Sequence, residues 1–87
     1  MSLKGDSVWF TYILRCGDGT LYTGITNNVQ KRLKAHQEGK GAKYTRGRGP
    51  IVLVACFDFK TKSQAAKEEY RIKKLPKNQK EMLISAG

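Results

Sequence analysis

The chain has 87 residues, 39% hydrophobic and 28% charged, which suits one compact soluble domain spanning 1–87 with a modest core. Seventeen Lys and Arg against seven Asp and Glu leave a formal net charge of +10, a field that selects polyanionic partners. No apolar run reaches the ~20 residues of a membrane span, and Met1 to Ser7 lacks the apolar stretch of a secretory signal, so a cytoplasmic protein is expected.

Val8 to Arg15 is β-branched and aromatic, a strand apolar enough to be central in a sheet. Gly17-Asp18-Gly19 signals a turn, and Thr20 to Ile25 supplies the second strand of a β-hairpin. Gly24 near its end marks a close approach by another backbone or a ligand. Asn27 or Asn28 caps a helix running to about Glu38, with Gly39 as its stop. Gly39 to Pro50 reads as a loop rich in glycine and cations. Ile51 to Phe57 is an uninterrupted apolar strand, expected to be buried on both faces. Thr61 and Gln64 have capping-box spacing and open a helix to about Leu75. Pro76 begins a last short helix, Lys77 to Ser85, with Met82 and Leu83 or Ile84 facing inward. The order β-β-α-β-α-α describes a three-stranded α+β fold of sheet and helices. Cys16 and Cys56 lack zinc or redox spacing and read as buried thiols.

The charge favours nucleic acid over a membrane, because the cations are spread over helices and loop rather than gathered on one amphipathic helix. Lys40, Lys43, Arg46 and Arg48, with Tyr44 among them, suit backbone phosphates and stacking on a base. Arg32 and His36, four residues apart, share a helix face and join an arc with Val29 and Leu33, so both are expected to point toward the fold. An arginine fork can bind phosphate with an imidazole beside it, although such a pair alone is a common helical feature. Tyr12 and Tyr22, on neighbouring strands, can present both hydroxyls on one face, where a phenol can orient a water or, as a phenolate if nearby cations lower its pKa, accept its proton. Glu68 and Glu69 fall on the apolar arc of their helix and need an ion partner, either a cation such as Arg32 or a metal.

Together these residues resemble the GIY-YIG endonuclease superfamily, in particular its small stand-alone bacterial members, over about Trp9 to Ile84. The likeness extends to the nuclease domain of the branched-DNA structure-specific endonuclease, through Tyr22-Thr-Gly-Ile-Thr26, Lys31-Arg32, His36 and Gly47 to Pro50. The resemblance implies a three-stranded antiparallel sheet flanked by helices. It matches Tyr12 to the first signature tyrosine and Tyr22 with Gly24 to the second. Arg32 matches the arginine that steadies the scissile phosphate, and His36 a position held by His or Tyr. Glu69 matches the single metal-ligating glutamate. The first signature reads Phe10-Thr-Tyr12, without its glycine, and Ile25 stands where repair relatives carry lysine.

The resemblance therefore implies a Mg2+-dependent endonuclease, with Mn2+ an alternative metal, acting on branched, single- or double-stranded DNA in repair or recombination. Catalysis would use Tyr22, with Tyr12 the alternative, beside Arg32, His36 and Glu69. RNA stays open as a substrate. A non-catalytic nucleic-acid binding module on the same fold, or a domain anchoring a protein partner to DNA, is the competing reading.

Overall fold

The computed structural model describes residues 8–86; the opening stretch read above for an export signal lies outside them. Strand β1 (Trp9–Arg15) and strand β2 (Leu21–Thr26) form the hairpin, followed by helix α1 (Val29–Gln37). A single 3-10 turn at Lys43–Thr45 gives the glycine-rich loop a local structure that composition did not reveal. Strand β3 (Val52–Phe59) and helices α2 (Lys62–Lys73) and α3 (Lys77–Ala86) complete the chain. The sheet is antiparallel with order β2-β1-β3, so β1 is central as its composition predicts.

Local chemistry explains the helix starts. Asn28 accepts from the Lys31 amide at 3.0 Å to cap α1. Thr61 accepts from the Gln64 amide at 3.1 Å to cap α2, while Gln64 reaches back to the Lys60 amide at 3.1 Å, one residue short of the usual reciprocal partner.

Side chains of β1 alternate between two packed layers. Tyr12, Leu14 and the following Cys16 join Ile51, Leu33, Tyr22 and Leu53 in a cluster on the α1 side. Thr11 lies on the other face, where its hydroxyl donates to the Ala65 carbonyl at 2.8 Å and ties α2 to the sheet. Ala65 and Ile72 of α2 are fully buried along with Ile13.

Three expectations fail here. Strand β3 is an outer strand, and Val52, Cys56 and Asp58 are exposed. Its pairing slips between Ile13↔Ala55 and Leu14↔Leu53, so Val54 is an extra, bulged residue. A bulge changes which residues face inward, so the unbroken apolar run reflects a change of phase and not burial on both sides. For the same reason only Cys16 is a buried thiol; Cys56, opposite Tyr12 on the outer strand, is exposed, and both are free. Met82 is 68% exposed rather than inward. Arg15 holds Glu81 through two bonds of 2.7 and 2.6 Å, which turns the Glu81 side of α3 to the sheet and the next residue away.

Candidate active site

The hairpin register places Tyr12 opposite Gly24 and Leu14 opposite Tyr22, so both tyrosines lie on one face, with ring centroids 6.4 Å apart. Gly24 has a steric reason to be glycine. A Cβ there would sit 2.6 Å from the Tyr12 hydroxyl and 2.8 Å from its ring carbon. The hydroxyl thus rests on bare backbone of the neighbouring strand, the close approach that a glycine in a strand predicts.

His36 reaches the same face from α1 and is 1% exposed. Its Nε2 lies 2.9 Å from the Tyr12 hydroxyl and its Nδ1 lies 2.8 Å from the Thr45 hydroxyl. The Tyr22 ring is 5.2 Å from the imidazole. Gly41 lets the loop fold over this group, since a Cβ there would come within 2.5 Å of the imidazole Cγ and Nδ1. Burial, and then the charge of Arg32, hold His36 below the usual imidazole range, so it is neutral at neutral pH. Burial and the adjacent Tyr22 and Glu69 push Tyr12 well above the usual phenol range, against the opposing pull of Arg32. Tyr12 is therefore a phenol, not a phenolate.

Arg32 departs from expectation. It is exposed, not turned toward the core with His36, and lines a cleft of about 310 Å3 with Thr26, Asn27, Asn28, Lys31 and Ala35. It nonetheless lies close enough for its charge to act on Tyr12 and His36. The exposed guanidinium can therefore meet a ligand in that cleft.

Glu69 arrives from α2, with its side chain 24% exposed, and its charge also reaches Tyr12. Its ion partner is Lys73 at 3.0 Å, one helical turn on, not Arg32. Glu68 is bound by Arg71 through two bonds of 2.9 and 2.6 Å, whereas Glu69 is the carboxylate whose charge acts on Tyr12. Lys73 shares a cleft of about 270 Å3 with Leu21, Tyr22, Thr23, Tyr44 and Lys80. Among the described residues no three His, Cys, Asp or Glu gather as a metal cage.

The basic loop is fastened, not free. The Gly17 amide donates to the Arg48 carbonyl at 2.6 Å, and the Arg46 Nε donates to the Gly39 carbonyl at 3.2 Å. Tyr44 stacks on Tyr22 with centroids 5.8 Å apart, and the Arg48 guanidinium lies 4.6 Å over the Tyr44 ring. Arg48 also pairs with Asp18 at 2.6 Å. The Thr20 hydroxyl and amide, with Arg48, pull the Asp18 carboxyl down to about 2. Lys40, Lys43, Tyr44 and Arg46 remain exposed, so the free cations of the loop are fewer than its sequence suggests.

Three contributors escaped the sequence reading. Lys73 was findable, because Glu followed by Lys at i+4 is a stable helical pair. Asp18 with Thr20 carries the spacing of a side-chain turn. Thr45, flanked by cations in a loop without periodicity, carries no signal of its burial.

Residues 8–82 match the GIY-YIG catalytic domain model. The chain is 56% identical over 79 residues to a UPF0213 protein of Oceanobacillus iheyensis, covering 91% of this chain and 92% of that one. It is 53% identical over 77 residues to a UPF0213 protein of Nitratidesulfovibrio vulgaris, covering 88% and 70%. The solution NMR structure of a UPF0213 protein from Bacillus halodurans aligns with TM-score 0.60 at 51% identity, over 91% of this chain and 84% of that one. That of a protein from E. faecalis aligns with TM-score 0.63 at 38% identity, over 99% and 90%.

Proposed function

The chain belongs to the GIY-YIG catalytic-domain family, a family of nucleases, and on that premise we propose that it is a metal-dependent DNA endonuclease with a place in repair or recombination. One observation carries the reading. Tyr12 and Tyr22 from two strands meet His36 from α1 on one face, and the charges of Arg32 from α1 and Glu69 from α2 both act on Tyr12, in a protein of net charge +10.

In this reading Arg32, exposed beside a polar cleft, binds the scissile phosphate and neutralises the charge that builds on its oxygens. Tyr22 orients the attacking water and, acting as its phenolate, takes up the proton that the water loses; Tyr12, the alternative from sequence, is held as a neutral phenol by burial and can only position. His36 stays neutral and holds the tyrosine beside it. Exposed Lys40, Lys43 and Arg46 hold flanking phosphates, with Tyr44 offering a ring face to a base and Arg48 a weaker contribution because Asp18 already pairs it. The partner is DNA, with RNA a second arm of any binding assay, and the compartment is the cytoplasm. No helix among the described residues is long and apolar enough to cross a membrane.

Glu69 fits Mg2+ better than a metal that needs a full protein cage. Mg2+ is commonly held by one or two carboxylates with substrate phosphates and waters completing its shell, and the single half-buried Glu69 carboxylate, whose charge reaches Tyr12, supplies that share. Mn2+ suits the same oxygens. When bound, the ion supplies polarisation of the phosphoryl oxygen and stabilisation of the leaving oxygen.

The test incubates wild type, Glu69→Ala and Arg32→Ala with labelled branched and linear DNA and Mg2+. Wild type should cut, and each variant should lose about a hundredfold or more in rate while Glu69→Ala still binds. If all three bind alike and none cuts, the protein is a binding module on a nuclease fold.

A further inference from the structure

Two of the three polar contacts around His36 have an undetermined direction, and counting protons fixes it. Thr45 has one hydroxyl proton, and its oxygen lies 3.1 Å from the Ala42 carbonyl as well as 2.8 Å from His36 Nδ1. A carbonyl can only accept. If the hydroxyl donates to Ala42, its oxygen must accept from Nδ1–H, and Nε2 is then a bare lone pair that takes the Tyr12 proton across 2.9 Å. The reverse arrangement sends the Thr45 proton to Nδ1 and an Nε2–H to the Tyr12 oxygen. The Tyr12 proton would then have no acceptor among the described residues, at a side chain only 3% exposed. An orphaned buried donor costs about 1–3 kcal/mol, whereas a partly satisfied hydroxyl oxygen is tolerated.

We infer that Thr45 is a positioning residue of this site: it fixes the Nδ1–H tautomer of His36, which obliges Tyr12 to donate its phenolic proton to Nε2 and leaves Tyr22 as the tyrosine free to address the attacking water. The chain runs from Tyr12 O–H to Nε2, and from Nδ1–H through the Thr45 hydroxyl to the Ala42 carbonyl, with every proton placed. Its ends are a strand and a loop, so it also pins the basic loop over the tyrosines. Charged and titratable groups around it are Arg32 on the same helix, Tyr12 and Tyr22 from the strands, and Glu69 from α2. None of these competes for Nδ1, which faces Thr45.

The consequence for Tyr22 rests on the nuclease reading, but the tautomer does not, and the experiment separates them. Two-bond proton–nitrogen correlation of 15N-labelled protein at neutral pH should show His36 with a protonated Nδ1 and a bare Nε2. Thr45→Ser should keep that pattern and the cutting rate. Thr45→Val should lose the single tautomer and cut about tenfold more slowly or worse. A wild-type His36 protonated on Nε2, or a Thr45→Val pattern identical to wild type, overturns the inference. A protein with the Nδ1–H tautomer that cuts no DNA upholds the tautomer and overturns the nuclease reading instead.

Discussion

Lys73 sits on Glu69: its ammonium is 3.0 Å from the carboxylate, one turn along α2. A cation bound at Glu69 competes with it for the carboxylate. The pair is half exposed, so it is worth about 0.2–1 kcal/mol at most. Lys73→Gln should therefore strengthen Mn2+ binding in the absence of DNA by no more than about fivefold, and Glu69→Gln should abolish it. Titration of Mn2+ followed by paramagnetic broadening of Tyr22 and Glu69 amide signals checks both. Equal broadening in Glu69→Gln would move the metal elsewhere.

Gly24 carries the Tyr12 hydroxyl against its backbone, with 2.6 Å to the site of a Cβ. Gly24→Ala must push Tyr12 off Nε2 or separate the strands. Overpacking of this kind costs about 1–3 kcal/mol. Urea unfolding should show that loss, and Gly24→Ala should also lose the His36 tautomer, because the Tyr12 contact that holds it has moved.

His36 gives the fold a pH dependence with a definite sign. Burial, then Arg32, lowers its folded value below the ordinary 6.5, so below pH 6.5 the unfolded chain takes a proton that the folded chain refuses. Stability from this group is whole above pH 6.5 and declines as pH falls beneath it. Denaturation midpoints measured across this range should fall toward acid in wild type, and His36→Gln should remove that component. A slope unchanged in His36→Gln would assign it to other groups.

Loop cations should differ in their contribution to DNA binding. Lys43 is exposed, whereas Arg48 is shared between Asp18 and the Tyr44 ring. Lys43→Ala should lower the slope of log affinity against log salt by about one, and Arg48→Ala by less. Tyr44→Ala should weaken single-stranded binding by about 1–3 kcal/mol if a base stacks there, with little change in slope. Fluorescence titrations at several salt concentrations separate the charge contribution from the stacking one.

The elements themselves were legible, to within one or two residues at their ends, because their signals are local. Asn28 caps α1, Thr61 caps α2, and Gly17 to Gly19 turn the hairpin, each through bonds within three or four residues. The central place of β1 was legible from composition. The outer place of β3 was not, since the bulge at Val54 is a relation between strands and leaves no mark in an apolar run. The exposed Met82 follows from the Arg15–Glu81 pair, which joins residues far apart in the chain.

By itself the sequence determined which chemical groups exist and which of them share an element: Tyr12 on one strand, Tyr22 and Gly24 on the next, Arg32 one turn before His36, Glu69 on a later helix. Helical and strand periods are properties of consecutive residues, so this much needs no folded core. Tertiary structure decided what each group can do. It buried Tyr12 and His36 together while leaving Arg32 at the surface, gave Glu69 to Lys73, spent Arg48 on Asp18, and brought Thr45 out of an unpatterned loop to Nδ1. Burial, ion partner and proton direction depend on atoms that meet only after the sheet, α1 and the loop have closed on one another.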